Sequence, residues 1–248
     1  MNLKIENLVK KYNGNTVLDD ISIEIKDFQV LALIGASGSG KSTLLRLIAG
    51  LEDYQGGDIH VNDAVVSQEN MDAYRKKVGF VFQDHNLFNH LSVIENILLV
   101  LEKVHKKKRE EVLPMVQDLL RQFDLSEHQM KLPHQLSGGQ SQRVSIVRAL
   151  SIMPELILLD EPTSSLDPIL TYEVLTAVKK LADEKKDFII VTHEIGFAKN
   201  IADYIVFMQD GKIIEHGTNN ILQYPKSKEL SSFLSKVLTF QDDGIKAG

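Results

Sequence analysis

Nine residues between two apolar segments, GASGSGKST at 35–43, constrain the fold of this 248-residue chain more than any other stretch. The preceding segment, VLALI, is typical of a buried strand, and the following segment, LLRLIAG, is typical of a helix. Glycine destabilises both kinds of element, so three glycines at this junction need a physical reason. The pattern matches G-x-x-x-x-G-K-[ST], in which backbone N–H groups and a helix N-terminus surround phosphate. The sequence therefore predicts a phosphate-binding loop between a strand and a helix.

The loop is expected to bind a nucleotide through both its backbone and its side chains. Lys41 would bring a positive charge to the terminal phosphates, and Ser42 offers a hydroxyl ligand to Mg²⁺. A flexible glycine-serine linker is the alternative, but a linker is not expected between a buried strand and a helix. The residues predicted to contact the nucleotide here are Gly35, Ser37, Gly38, Ser39, Gly40, Lys41, Ser42 and Thr43.

A second motif, LILLDE at 156–161, is an apolar strand that ends in two adjacent carboxylates. A carboxylate at a strand end can hold Mg²⁺, usually through water, which predicts that role for Asp160. The next residue, Glu161, can serve as a general base toward an attacking water. By itself such a pair is common and is usually a solvated strand end. Together with the glycine-rich loop, it predicts a catalytic centre.

The segment LSGGQSQRVSIVRAL, which begins at residue 136, predicts a second helix whose N-terminus is prepared for an anion. Ser137 and Gln140 have the spacing of a capping box. Gly138 and Gly139 are costly in a first turn unless another group approaches the backbone closely. The segment has no lysine equivalent to Lys41, so it looks like half of a phosphate site. An ordinary capped helix is the alternative.

Composition and charge exclude several classes of protein. The formal net charge is −6, which gives no basic field to attract nucleic acid, and the short basic run at 106–109 is expected on a solvated helix face. The absence of cysteine excludes disulfides and thiolate metal sites. The longest apolar segments, 30–36 and 97–101, are far shorter than the roughly 20 residues of a membrane span. We therefore expect no nucleic-acid partner and no membrane-spanning segment.

The order of the predicted elements indicates the α/β class. Residues 3–34 contain short alternating strands, which predict an N-terminal antiparallel β portion. The apolar runs at 156–160 and 188–192 favour buried parallel strands, with a helix over 173–186 between them. A final hairpin is predicted to turn at Asp210-Gly211.

The middle of the chain is predicted to be helical. Helical spacing covers 92–130, with the charged block KKKREE at 106–111 between two helices. We expect one domain over 1–248, in which 1–83 and 154–248 form a catalytic core with the β portion. Residues 84–153 would form a helical subdomain that carries the LSGGQ segment.

The motifs occur in an order that resembles a known family. The segments GASGSGKST, Gln83, LSGGQSQRV, LILLDEPTSSLD and VTHE, at these separations, are similar to those of the nucleotide-binding subunit of an ABC transporter, over nearly the whole chain. LSGGQ is the specific element, because glycine-rich phosphate loops occur in many unrelated ATPases. The resemblance implies a P-loop NTPase fold of the ABC type that hydrolyses ATP, with ATP and Mg²⁺ as its cofactors.

The resemblance also implies an ATP-dependent homodimer. Two chains would face each other head to tail, with each ATP between the phosphate loop of one chain and the LSGGQ helix of the other. This arrangement would explain why the second glycine-rich segment looks like half a site. Asp167 matches a loop that crosses the dimer interface, although it could instead cap a helix before Pro168. The residues implied to reach the partner's ATP are Ser137, Gly138, Gly139, Gln140 and Asp167.

Three further residues take their roles from the resemblance alone. Tyr12 matches the aromatic residue that stacks on adenine, although it could be an ordinary aromatic at a strand end. Gln83 matches the glutamine that contacts Mg²⁺ and the attacking water and reports to the membrane partner. His193 matches the histidine near the γ-phosphate, a position where a lone histidine is otherwise more often structural.

Within the family, THEIGFAKNIADYIVFMQDGKIIEHG and SSFLSKVL resemble the ATPases of polar amino acid importers. This resemblance implies integral membrane permease subunits as partners, an indirect link to a substrate-binding protein, and a peripheral location at the cytoplasmic face of the inner (plasma) membrane. The stretch 83–97 is similar to the one that receives a coupling helix, with Phe88 and Leu91 as apolar contacts, although these two could instead pack within the helical subdomain. The alternatives are an ATPase of an exporter or lipoprotein-release complex, or a soluble ABC-type ATPase in DNA repair or translation.

Overall fold

The computed structural model describes residues 1–245, with side chains up to Val237. These residues divide into two compact units, one made of residues 1–66 and the described residues from 191 onward, the other of residues 67–190. The predicted division into a catalytic core and a helical subdomain at 84–153 stays a prediction.

Ten strands and eight helices are assigned among the described residues. The strands are β1 (Leu3–Tyr12), β2 (Asn15–Ile25), β3 (Val30–Ile34), β4 (Gly56–Val61), β5 (Ala64–Val65), β6 (Val78–Val81), β7 (Leu156–Asp160), β8 (Phe188–Val191), β9 (Tyr204–Gln209) and β10 (Lys212–Thr218). The helices are α1 (Lys41–Ile48), α2 (Met71–Arg75), α3 (Val93–Lys103), α4 (Arg109–Gln122), α5 (Gly138–Ser151), α6 (Pro168–Asp183), α7 (Ile195–Ile201) and α8 (Lys228–Ile245).

The first unit contains a four-stranded sheet in the order β2-β1-β4-β5. The central strand β1 pairs antiparallel with β2 and with β4, so that Leu3 lies opposite both Ile25 and Val61. Apolar residues that alternate with polar ones along β1 and β2 turn one face of these strands to the core. The predicted N-terminal antiparallel β portion is confirmed.

Three more strands of the first unit follow the order β10-β9-β3. Strand β3 runs parallel to β9, with Leu31 opposite Tyr204, and every residue of β3 is buried. Strands β9 and β10 form the predicted hairpin, which turns at Asp210 and Gly211. Both turn residues have positive φ, as a two-residue turn of this kind requires.

In the second unit, strands follow the order β8-β7-β6, and β6 runs parallel to β7, with Val78 opposite Leu156. All residues of β7 and β8 are buried, which explains their continuous apolar sequences. The helices α3, α4 and α5 lie in the region predicted to be helical. The α/β class is therefore confirmed. Among the described residues, no helix combines the length and the apolar composition needed to cross a membrane.

Some helix boundaries differ from those predicted. Residues 109–111 of the charged block belong to the first turn of α4, where Glu110 and Glu111 complement the helix dipole. Helix α6 begins five residues before the predicted segment at 173, because Asp167 caps it and Pro168 has the φ of a first helical residue.

A buried amide fixes the loop that precedes α3. The Asn96 side chain is fully buried, and its Oδ1 accepts a hydrogen bond from the Phe88 N–H at 2.7 Å. Its Nδ2 donates to the carbonyl oxygens of Phe88, Leu91 and Ser92 at 3.2, 3.0 and 3.0 Å. One side chain therefore binds four backbone groups of the loop, of which the Phe88 and Ser92 carbonyl oxygens also accept from the N–H groups of Leu91 and Asn96.

We expect Asn96→Ala to lower the free energy of unfolding by about 2–3 kcal/mol, because the Phe88 N–H and the Leu91 carbonyl oxygen lose their bonds to the buried amide. Chemical denaturation followed by circular dichroism measures this change. The exposed Asn89, in the same loop, provides the control, and Asn89→Ala should change the free energy by less than about 0.5 kcal/mol. Equal effects of the two changes would contradict this account.

Candidate nucleotide-binding site

The glycine-rich loop begins where β3 ends. Gly35 has a φ of 145°, and a Cβ atom there would lie 2.1 Å from the carbonyl oxygen of Met208, so only glycine fits. Helix α1 starts at Lys41 with Gly40 as its N-cap, and it has neither a side-chain cap nor an acidic residue in its first turn. The helix thus presents N–H groups and the positive end of its dipole, an arrangement suited to an anion.

The Lys41 side chain folds into this loop. Only 3% of Lys41 is exposed, and its Nζ donates to the carbonyl oxygens of Gly35 and Ala36 at 3.0 and 2.8 Å. Ser39, also buried, has its Oγ 3.4 Å from the same nitrogen. The loop therefore holds a buried positive charge close to its own backbone. Among the other loop residues predicted to contact the nucleotide, Ser37 and Gly38 are exposed, and Ser42 and Thr43 are half-buried.

Tyr12 closes β1 in the same unit and is partly exposed. Its hydroxyl donates to Glu52, and Thr43 of the glycine-rich loop lies close enough to affect the pKa of Tyr12. Partial burial, followed by the Glu52 carboxylate, raises the pKa of Tyr12, so the ring is neutral at physiological pH. The structure thus brings Tyr12 next to the loop.

The two acidic residues after β7 have different environments in the second unit. Asp160 is fully buried, which excludes the solvated strand end considered above for this residue. Glu161 is half-buried and has a φ of 43°, the only glutamate with positive φ among the described residues. This left-handed conformation is uncommon for residues with a side chain and is found preferentially at functional sites.

The start of α5 has the predicted capping box. Ser137 Oγ accepts from the Gln140 N–H at 3.2 Å, and Gln140 Oε1 accepts from the Ser137 N–H at 3.0 Å. A Cβ atom on Gly138 would lie 2.8 Å from the side chain of Leu166, so a residue of the same unit makes a close approach of the kind that the glycines indicated. An ordinary capped helix is therefore sufficient to explain Ser137 and Gln140 within one chain.

Helix α5 also holds the segment around Gln83, which is itself exposed. Gln142 is fully buried, and its Nε2 donates to the Phe82 carbonyl at 3.3 Å. Arg148 donates to the carbonyl oxygens of His85 and Asn86 at 3.1 and 2.7 Å. Burial lowers the pKa of Arg148 from its usual value. The sequence analysis did not identify Gln142 and Arg148. The only indication in the sequence was that these two residues are polar on an otherwise apolar helix face.

The remaining predicted site residues lie at element ends. Asp167 caps α6, accepting from the N–H groups of Ile169 and Leu170 at 2.9 Å each. His193 is exposed, two residues after β8. The first unit thus contains Tyr12, residues 35–43 and His193, and the second contains Gln83, residues 137–140, Asp160, Glu161 and Asp167.

A glycine-rich loop between a parallel strand and a helix, with a buried lysine in its curve, defines a P-loop nucleotide-binding protein. The chain belongs to the ABC transporter family, whose sequence profile matches residues 18–164. The predicted resemblance is confirmed, and so are ATP binding and the activity of an ABC-type ATPase.

Characterised relatives match over nearly their whole length. The L-cystine transport system ATP-binding protein of Escherichia coli (strain K12) is 44% identical over 95% of this chain and 98% of its own. The arginine transport ATP-binding protein of Bacillus subtilis (strain 168) is 42% identical over 95% of this chain and 100% of its own. The glutamate/aspartate import ATP-binding protein of Escherichia coli (strain K12) is 44% identical over 95% of this chain and 99% of its own.

Solved structures have the same fold. A dimeric ATP-binding cassette in a post-hydrolysis state, bound to ADP and Pi, superposes with a TM-score of 0.78 at 31% identity, over 88% of this chain and 98% of that one. The ATP-binding subunit of an ABC transporter superposes with a TM-score of 0.79 at 26% identity, over 95% of this chain and 100% of that one. The predicted ABC-type fold is thereby confirmed.

We expect Lys41→Ala to weaken ATP binding roughly 10- to 100-fold, because the phosphates would lose a charge-assisted hydrogen bond. Isothermal titration calorimetry with Mg²⁺ present measures the affinity. Lys26→Ala, at an exposed lysine of the same unit, is the control and should bind ATP normally. Wild-type affinity in the Lys41 variant would show that this loop does not hold the phosphates.

Proposed function

We propose that this chain is the ATP-hydrolysing subunit of an importer of polar amino acids. The observation that supports this most is that relatives 42–44% identical over 95% of the chain are named for the transport of cystine, arginine, or glutamate and aspartate. On this proposal the chain is peripheral at the cytoplasmic face of the inner (plasma) membrane. It drives integral permease subunits, which a substrate-binding protein supplies with the amino acid.

In the proposed site, ATP is bound at both ends. Tyr12 stacks on adenine, while Lys41 and the N-terminus of α1 hold the phosphates. The remaining phosphate contacts come from Gly35, Ser37, Gly38, Ser39, Gly40, Ser42 and Thr43. The positive charge of Lys41 and the N–H dipoles of the loop and of the α1 N-terminus are already oriented toward the phosphates. They therefore need little rearrangement as charge develops on the phosphate.

The proposed ligands of Mg²⁺ are Ser42, Gln83 and Asp160. Hydroxyl, amide and carboxylate oxygens suit this hard cation. Mg²⁺ usually keeps several waters and is bound through few protein ligands together with substrate phosphates. When bound, Mg²⁺ neutralises charge on the phosphate oxygens.

Hydrolysis needs an oriented water, and we assign its activation to Glu161. Its carboxylate would accept the proton of the attacking water, and Gln83 would position that water. His193 would hydrogen-bond the γ-phosphate. The unusual backbone of Glu161 supports a functional role, because such conformations persist where the surroundings impose them.

The proposed active assembly is an ATP-dependent homodimer. In it, Ser137, Gly138, Gly139 and Gln140 of each chain complete the phosphate site of the other, and Asp167 lies at the interface. The free N-terminal dipole of α5 supports this assignment, since α5 has no acidic residue in its first turn. A similar cassette bound to ADP and Pi is described as dimeric.

A groove in the second unit supports docking of a permease segment. It has a volume of about 510 Å³ and an apolar lining that includes Phe80, Phe82 and Phe88. Phe88 is 43% exposed, whereas Leu91, the other predicted contact, is half-buried. Asn86, whose carbonyl Arg148 binds, also lines the groove, so the docking surface adjoins the segment that α5 holds.

The importer assignment predicts a transport phenotype. Deleting the gene that encodes this chain, in the cells that make the protein, should abolish most energy-dependent uptake of at least one radiolabelled polar amino acid. Wild-type chain should restore uptake, and Glu161→Gln should not, since it lacks the base. Unchanged uptake of every polar amino acid tested would contradict the proposed substrate class.

The composite site is tested with Glu161→Gln, which retains the shape of the side chain but not the base, so ATP should bind and stay intact. With ATP this variant should elute as a dimer in size-exclusion chromatography, and with ADP as a monomer. Adding Ser137→Arg should abolish the dimer, because its bulk obstructs only the contact with the other chain.

Two controls accompany the dimer test. Ser137→Ala removes the cap oxygen without adding bulk, so part of the dimer should remain. Calorimetry should show that Ser137→Arg leaves ATP binding to the isolated chain intact. A dimer that survives both Ser137→Arg and the removal of ATP would refute the composite site.

A further inference from the structure

The hydroxyl of Tyr12 donates a hydrogen bond to the carboxylate of Glu52, which also interacts with Lys10 and Arg46. Glu52 Oε2 accepts the hydrogen bond from Tyr12 and lies 3.3 Å from Lys10 Nζ. The other oxygen, Oε1, lies 3.8 Å from Arg46 Nη1. Only 23% of the Glu52 side chain is exposed, so this carboxylate is more than a solvated surface charge.

Lys10 covers one face of the Tyr12 ring. Its Nζ lies 4.5 Å from the ring centroid, within the range of a cation–π contact. Lys10 is itself only 6% exposed, and its Nζ donates to the Asp53 carbonyl at 2.5 Å. Tyr12 is 39% exposed, and because Lys10 occupies one face of the ring, a planar ligand could stack only on the other face.

The same hydroxyl lies close to the phosphate loop. Thr43, whose side chain is near enough to affect the pKa of Tyr12, belongs to the first turn of α1. The hydrogen bond to Glu52 fixes the ring relative to the residues after α1.

We propose that Glu52 is a positioning residue for nucleotide binding, which acts with Lys10 to fix the Tyr12 ring so that its open face receives the adenine. The inference rests on the proposed role of Tyr12. A ring that is already ordered loses less conformational entropy when the base stacks on it, so Glu52 increases affinity without touching ATP. Glu52 should therefore matter only for ligands that carry a base.

The experiment compares two probes, ATP and inorganic tripolyphosphate, by calorimetry on the full chain with Mg²⁺. Tyr12→Leu removes the ring, Tyr12→Phe keeps the ring but removes its hydroxyl, and Glu52→Ala removes the carboxylate. Glu52→Gln retains an acceptor for the hydroxyl. Glu24→Ala is the matched control, since Glu24 is an exposed, ion-paired carboxylate of the same unit.

Tyr12→Leu should weaken ATP binding roughly tenfold, the effect of losing one stacked base. Glu52→Ala and Tyr12→Phe should each weaken it about three- to fivefold, and Glu52→Gln less. Tyr12→Phe and Glu52→Ala break the same hydrogen bond. The double variant Tyr12→Phe/Glu52→Ala should therefore bind ATP as tightly as Glu52→Ala alone, to within about twofold. Tripolyphosphate affinity should be unchanged throughout, and the control should bind both probes normally.

Three results would overturn the proposal. If Tyr12→Leu weakens ATP binding but the Glu52 variants and Tyr12→Phe do not, Glu52 does not position the ring, and the role of Tyr12 stands. If Glu52→Ala weakens ATP and tripolyphosphate equally, it acts on the phosphate loop or on folding. If Tyr12→Leu itself binds ATP normally, the proposed role of Tyr12 is wrong, and the inference is wrong with it.

Discussion

The position of the phosphate loop depends on one backbone contact that leaves no room for a side chain. A Cβ atom on Gly35 would overlap the carbonyl oxygen of Met208, in the strand that pairs with β3. The pairing of β3 with β9 can continue to its end only because residue 35 is glycine. The loop therefore starts at a fixed point on a fully buried strand, which in turn fixes Lys41 and the start of α1.

In the second unit, α5 has a comparable organising role. Its first residues form the capping box of the LSGGQ segment, and farther along Gln142 and Arg148 bind the backbone of residues 82–86. Gln142 and Arg148 follow Gln140 by two and eight residues, which is roughly 3 and 12 Å along the helix axis, so the capping box and the contacts to residues 82–86 belong to one helix. A displacement of residues 82–86 in this unit must therefore either move α5 or break the hydrogen bonds that Gln142 and Arg148 donate to this segment.

Features with a local cause could be predicted from the sequence. The capping box joins residues three positions apart, and the Asp210-Gly211 turn needs only residues that tolerate positive φ. Arg148 could not be predicted in the same way, because its partners lie 62 and 63 residues away along the chain. The same holds for the conformation of Glu161 and for the burial of Asp160, which depend on how their unit packs. Sequence therefore identified the types of chemistry, whereas tertiary structure determined which side chains hold the segments in place.

The hydrogen bonds already made within one chain limit what Ser137 and Asp167 can offer to a second chain. Ser137 Oγ accepts from Gln140, but its hydroxyl proton can still be donated, so the cap and a contact with an anion are compatible. Asp167 is different, because an ionised carboxylate only accepts hydrogen bonds and here already accepts two from its own helix. At a phosphate it would repel rather than bind. In the proposed dimer, Ser137 and the α5 N-terminus would therefore contact the phosphate, and Asp167 would face N–H donors or a cation of the other chain.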